Sequence, residues 1–128
     1  MHYLDSSAIV KLIAREPETA ALVEGVRTDQ DVVSSELAVT EVIRAVARVG
    51  GGTTRAASVL NALALVPIDG AILRDAASLK PRSLRTLDAI HLATALSLGR
   101  DLDVLITYDQ RLGEAAERAG LTVSSPGA

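Results

Sequence analysis

His2-Tyr3-Leu4-Asp5-Ser6-Ser7-Ala8-Ile9-Val10-Lys11-Leu12 is a short apolar run that stops at a carboxylate, followed by two hydroxyl residues and a helical pattern. The spacing predicts a β-strand ending at Asp5, capping chemistry at Ser6-Ser7 and a helix from Ala8 to Arg15. In an open parallel sheet, ligands bind in the crevice beyond the carboxyl ends of the strands. Asp5 stands at such an end. Asp is also a frequent helix cap, and for Asp5 taken alone capping is the commoner role.

The same alternation runs down the chain. Glu16-Pro17-Glu18 opens a second helix, with Pro in a tolerated first-turn position and acids at the positive end. Asp31 ends a linker, and Val32-Val33 read as a strand. Ser34-Ser35 then cap a long helix from Glu36 to Val49, in which Val39, Val42, Ile43 and Val46 repeat at i, i+3, i+4, i+7. Gly50-Gly51-Gly52 stops that helix, and Thr53 caps the next, to about Leu65, making an αα-hairpin. Val66-Pro67-Ile68 reads as a short strand, and Asp69 caps a helix over Ala71–Leu79. After the basic loop Lys80-Pro81-Arg82-Ser83, Thr86 caps a helix over Leu87–Leu98 that is apolar on nearly all sides and therefore predicted to be buried. Val104-Leu105-Ile106-Thr107 is a strand, Asp109 leads into a helix over Gln110–Arg118, and Leu121-Thr122-Val123 is a last strand. Strands alternating with helices predict an α/β fold with a mostly parallel sheet.

The length of 128 residues fits one domain, 1–128. Leu, Val, Ile and Ala carry the core almost alone, since the chain has no Phe or Trp and only Tyr3 and Tyr108 are aromatic. The absence of Cys excludes disulfides, thiolate metal sites and a Cys nucleophile. With no signal-peptide pattern and no apolar run long enough to cross a bilayer, a cytoplasmic protein without membrane contact is expected. The net charge of −3 argues against a bulk electrostatic grip on nucleic acid. Eleven of the thirteen basic residues are Arg, however, and a local Arg rim suits phosphate contacts. The scarcity of aromatics argues against base stacking.

Three further acids accompany Asp5. Glu41 lies on the long helix, Asp88 in the first turn of the buried helix, and Asp109 just past a strand end. Each has an ordinary role open to it: pairing with Arg44 or facing water for Glu41, a helix dipole for Asp88, a cap for Asp109. Asp5 and Asp109 nonetheless end strands on one edge of a parallel sheet. Carboxylates brought together repel and raise one another's pKa, so the four are expected to disfavour folding without a metal. A divalent cation removes the conflict. With oxygen ligands and no His or Cys cluster, the expected ion is Mg²⁺ or Mn²⁺, which binds phosphates and activates water. Spacing alone leaves open whether the four acids meet. His91, three residues after Asp88, reads as a buried, hydrogen-bonded imidazole rather than a ligand of such an ion.

Tyr3-Leu4-Asp5-Ser6-Ser7-Ala8-Ile9-Val10-Lys11-Leu12 resembles the opening motif of PIN-domain proteins, in particular the VapC toxins of toxin–antitoxin pairs. Thr40-Glu41-Val42-Ile43-Arg44-Ala45, Leu84-Arg85-Thr86-Leu87-Asp88-Ala89-Ile90-His91 and Leu105-Ile106-Thr107-Tyr108-Asp109-Gln110-Arg111 are similar to the family's later acidic motifs, in order and at compatible spacing. The resemblance implies a three-layer PIN-like fold, a mostly parallel five-stranded sheet wrapped by helices. It implies an Mg²⁺- or Mn²⁺-dependent ribonuclease that hydrolyses RNA, with tRNA or rRNA as substrate, and leaves a 5′-phosphate and a 3′-hydroxyl. Asp5, Glu41, Asp88 and Asp109 would hold the metal, Thr107 would orient carboxylates or water, and Ser6, Lys11, Arg44 and Arg85 would contact substrate. A VapB-type antitoxin is implied as partner. A homodimer is expected because the helices Glu36–Val49 and Thr54–Leu65 read as too apolar to be covered on one side only. The alternative is a catalytically silent PIN-like module that binds RNA or a partner. A dehalogenase-like phosphatase would need a second Asp where Ser7 stands, and a receiver would pair two acids near the start of the chain.

Overall fold

The computed structural model describes residues 1–27 and 31–128. The linker expected before Asp31 falls partly outside the described residues. The elements run β1 (His2–Leu4), α1 (Ser6–Ile13), α2 (Thr19–Val26), β2 (Val32–Ser35), α3 (Leu37–Arg48), α4 (Thr53–Asn61), β3 (Ala64–Val66), α5 (Gly70–Ser78), α6 (Thr86–Ser97), β4 (Val104–Ile106), α7 (Gln110–Arg118) and β5 (Val123–Ser124), with a short 3₁₀ turn at Gly99–Asp101. The strands form one sheet in the order β3-β2-β1-β4-β5, and every pairing is parallel. The chain leaves the central strand β1 toward β2 on one side and later fills β4 on the other. The crevice between β1 and β4 is thus the point where strand order reverses and an open α/β sheet binds its ligand. Leu4 is level with Ile106 in the register, so Asp5 and Thr107 emerge side by side.

Successive side chains alternate across the sheet. Leu4 and Ile106 pack with Ala8, Ile9, Val42 and Val46 beneath α1 and α3. Tyr3, Val33 and Leu105 face the other way, against Leu92 of α6 and Leu112 of α7. The result is the expected three-layer sandwich of helix, sheet and helix. In α6 the seven residues Ala89 to Ala95 are all buried. Burying one Leu or Ile contributes about 1.5–3 kcal/mol, which outweighs the mediocre helix propensity of its Thr and His residues.

Four local expectations are corrected. The cap of α1 is Asp5 itself, whose Oδ1 accepts the Ala8 N–H, while Ser6 and Ser7 lie in the first turn. Ser34 and Ser35 belong to β2 rather than to a cap: Ser34 Oγ donates to the Leu4 carbonyl at 2.6 Å, and only Ser35 Oγ receives a helix N–H, from Leu37. β3 forms at Ala64–Val66, before Pro67, because Val33, Ser34 and Ser35 pair with it and Glu36 N–H closes on the Val66 carbonyl. The apolar stripes of α3 and α4 are covered on one side after all. Ala38, Val42 and Val46 are buried against α1 and α4, as are Ala56 and Leu60, while Thr40, Arg44, Arg48, Thr54, Arg55 and Ser58 face outward exposed. Val49, the last residue of the helix expected over Glu36–Val49, is 72% exposed.

Candidate active site

Three hydrogen-bonded groups occupy the carboxyl edge of β1 and β4. The first is built on Asp5, which is 4% exposed. Its Oδ1 accepts from Ser7 Oγ at 2.6 Å and from Ala8 N–H at 3.0 Å, and its Oδ2 accepts from Thr107 Oγ1 at 2.6 Å. Both hydroxyls are oriented from the connection after β4: Tyr108 N–H donates to Ser7 Oγ and Asp109 N–H to Thr107 Oγ1. Each hydroxyl proton is therefore aimed at Asp5. Burial pushes the Asp5 carboxyl above its usual range, and the hydrogen bonds from Ser7, Thr107 and Ala8 pull it only partly back.

The second group holds Glu41. Ser6 Oγ and His91 Nε2 both meet its Oε1 at 2.6 Å, and His91 Nδ1 meets the Tyr3 hydroxyl at 2.7 Å. Burial pushes the Glu41 carboxyl up, but the bonds from His91 and Ser6, with the charges of His91 and Arg85, outweigh it and leave the group below its ordinary value. An ionised carboxylate only accepts, so His91 carries a proton on Nε2. The other ring nitrogen, Nδ1, lies against the Tyr3 hydroxyl. Burial holds Tyr3 protonated.

The third group is a bridge. Arg85 Nε donates to Asp88 Oδ2 at 2.9 Å, and Arg85 Nη2 donates to Asp109 Oδ2 at 2.7 Å. Asp109 Oδ1 also caps α7 through the Leu112 N–H. Asp109 is thus a cap and a member of the acidic edge at once, as Asp5 is.

A cleft of about 730 Å³ opens beside these groups, lined by Ser6, Ser7, Glu41, Arg44, Leu87 and Tyr108 among others. Arg44 is exposed on its wall. Lys11 also lines it but is already engaged, with Nζ 3.0 Å from Glu18, 3.2 Å from Glu16 and 4.7 Å above the Tyr108 ring. Ser7, Tyr3 and His91 are the functional neighbours that sequence reasoning left as a cap, core and a buried imidazole. Tyr3 and His91 find partners 88 and 50 positions away, and Ser7, bonded to Asp5 two positions back, is oriented by the Tyr108 N–H 101 positions on, beyond the reach of local spacing.

Arg85 joins Asp88 to Asp109, and Thr107 joins Asp5 to the backbone of Asp109, while Glu41 sits in its own group with Ser6 and His91. Among the described residues, no three His, Asp or Glu side chains gather as a ready cluster for a metal ion. The donor chemistry nevertheless fits a hard divalent cation. All four acids offer oxygen. A carboxylate has about four lone-pair positions, and the described residues fill three on Asp5, leaving a place on Oδ2. Among the described residues no basic side chain pairs with this buried Asp5, whereas Asp88 and Asp109 already hold a cation between them, the Arg85 guanidinium.

The PIN domain family model matches residues 2–118. Ribonuclease VapC46 of Mycobacterium tuberculosis (strain ATCC 25618 / H37Rv) is 50% identical over 125 residues, covering 97% of this chain and 96% of that protein. Ribonuclease VapC47 of Mycobacterium tuberculosis (strain CDC 1551 / Oshkosh) is 39% identical, covering all of this chain and 98% of that protein. Among solved structures, Mycobacterium tuberculosis VapC20, described as a Sarcin-Ricin loop cleaving toxin, superposes with a TM-score of 0.75 at 14% identity, over 98% of this chain and 100% of that one. This last likeness concerns the fold alone.

Proposed function

The chain belongs to the PIN-domain family, among its VapC ribonucleases, and from that premise we propose how it acts. It is an endoribonuclease toxin of a toxin–antitoxin pair that hydrolyses phosphodiester bonds of RNA. The observation that carries the mechanism is Asp5: a buried carboxylate at the β1/β4 switch point, fixed by three donors, with one lone-pair position open. Asp5, Glu41, Asp88 and Asp109 would hold a divalent cation, Mg²⁺ or Mn²⁺. When bound, that ion supplies Lewis acidity toward phosphoryl oxygens and lowers the pKa of a water.

The chain's own residues prepare the rest. Thr107 and Ser7 fix the rotamer of Asp5. His91 and Ser6 fix Glu41 and keep it ionised. Arg44 lines the cleft exposed, placed to meet the RNA backbone. Tyr3 is buried and Lys11 covers one face of Tyr108, which leaves little aromatic surface for base stacking. Recognition would therefore rest on backbone shape, as suits a folded tRNA or rRNA substrate. The partner would be a VapB-type antitoxin. The catalytically silent alternative has no observation of its own, since all four acids are present.

The test is cleavage of end-labelled tRNA and rRNA by the purified chain with Mn²⁺, with Mg²⁺ and with excess chelator, beside Asp5→Asn. Expected are discrete products with 5′-phosphate and 3′-hydroxyl ends, formed only with metal and only by the wild type. Full cleavage in chelator, or by Asp5→Asn, overturns the mechanism.

A further inference from the structure

Arg85 is exposed, with 66% of its side chain accessible, yet it binds two acids that are much better buried, Asp88 at 13% and Asp109 at 23%. The two acids come from different elements, α6 and the β4–α7 connection. The same positive charge helps to hold Glu41 below its ordinary value. One guanidinium thus serves three of the four acids. It starts from the N-cap position of α6, where the backbone is extended and the side chain makes no capping bond. Its side chain turns instead to the two carboxylates.

We infer that Arg85 is an internal placeholder for the metal: it holds Asp88 and Asp109 in the metal-free protein, and a divalent cation must displace it to bind. The inference rests on the reading of these acids as a metal site. Arg85 donates to Asp88 Oδ2 and Asp109 Oδ2 and sets its positive charge directly against both carboxylates. A guanidinium presents donors only, so it shares no oxygen lone pair with an ion and repels it by charge. Displacement is easy, because a side chain so exposed loses little packing when it swings into water. Binding of the ion and docking of Arg85 therefore oppose each other, and the opposition is reciprocal. The placeholder also resolves the repulsion expected from clustered acids: without metal, Asp88 and Asp109 are neutralised from within the chain.

The opposite view makes Arg85 a plain structural ion pair that keeps the acids in place. It predicts that removing Arg85 leaves metal binding unchanged or weakens it. The experiment is calorimetric titration of the metal-free full chain with Mn²⁺, for the wild type, Arg85→Gln, Arg85→Lys and Asp88→Asn, with circular dichroism to check folding. Arg85→Gln should bind Mn²⁺ about tenfold tighter, the size of effect that two ion pairs made by one exposed arginine allow. Arg85→Lys keeps the charge but not the fork, and should fall between. Asp88→Asn should bind more weakly. In parallel, the Arg85 Nε–H resonance of the wild type should shift and lose exchange protection as Mg²⁺ is added. If Arg85→Gln binds no tighter while Asp88→Asn loses affinity, the placeholder falls and the metal site stands. If neither the wild type nor Arg85→Gln binds Mn²⁺, the metal site falls and the placeholder with it.

Discussion

Thr107 donates its hydroxyl proton to Asp5 Oδ2 over 2.6 Å, and its oxygen receives the Asp109 N–H over 3.0 Å. One hydroxyl thereby joins the end of the first strand to the start of the last acidic motif. Thr107 is 1% exposed, so neither bond has water as a substitute.

Thr107→Val should leave the Asp109 N–H without its acceptor and Asp5 without a donor. A loss of about 1–3 kcal/mol is expected, the usual cost of an unsatisfied buried polar group. Thr107→Ser keeps the hydroxyl and should retain most of the stability and the cleavage rate. Urea denaturation of the three proteins checks this, and equal midpoints for Val and Ser would remove the hydroxyl from the account.

Asp5 sets a pH dependence. Its carboxyl is raised by burial above the usual 3.8. An acid whose pKa is higher folded than unfolded contributes stability below the unfolded pKa and loses it as pH rises through the folded one. At pH 7 the Asp5 charge is therefore a burden on the metal-free fold. Asp5→Asn should raise the stability of chelated protein at pH 7 by on the order of 1 kcal/mol, and the gain should shrink toward about pH 4. Glu41 runs the other way: lowered in the fold, it contributes above its unfolded pKa, and that share is lost as pH falls through the folded one. Glu41→Gln should thus cost stability at pH 7. Thermal melts of both amides at the two pH values decide, and a gain from both would contradict the distinction.

His91→Phe keeps a ring in place but leaves the Tyr3 hydroxyl without its imidazole partner and Glu41 without one of its two partners at 2.6 Å. About 1–3 kcal/mol should be lost. The coupling between positions 91 and 41 is the sharper measure. A double-mutant cycle with Glu41→Gln should show non-additivity well outside error, and simple additivity would mean that the 2.6 Å contact carries no energy.

Two neighbouring glycines should respond oppositely. A Cβ on Gly51 would stand 2.6 Å from Val46 Cγ1 and 3.1 Å from the Val46 carbonyl oxygen, and Val46 is a buried, stiff side chain. Gly51→Ala should cost about 1–3 kcal/mol. Gly52 precedes α4 with φ of −75° and nothing within 4 Å of a Cβ. Gly52→Ser supplies a missing cap and restrains the unfolded chain, for a gain of about 0.5–1 kcal/mol. Differential scanning calorimetry of the pair checks the signs.

The strand ends at Asp5 and just before Asp109 were legible because short apolar runs that stop beside an acid are local signals. The sandwich followed from strand and helix alternation. What lies between the acids was not legible. Arg85 at three residues from Asp88 is a spacing that suggests pairing, but nothing local joins it to Asp109, 24 positions on. Burial raises Asp5, whereas Glu41 is held below its ordinary value by His91 and Ser6, and Asp88 and Asp109 pair with Arg85, a difference no local spacing announces. Pro67 drew the third strand two residues too late, since proline suits a strand start and the pairing with β2 that overrides it is tertiary. The apolar residues of α3 and α4 suggested an uncovered face until their neighbours were in place.

The meeting of Asp5 with Thr107 has a consequence for the life of the molecule. The two residues are separated by 102 positions, and β4 can join β1 only when most of the chain exists. A nascent chain on the ribosome carries Asp5, Glu41 and then Asp88 long before the hydroxyl and the acid that complete the edge. On the mechanism proposed above, such a nuclease would be silent throughout almost all of its own synthesis, beside the RNA of the machine that makes it. A product released early, before β4, would hold three of the acids and remain harmless.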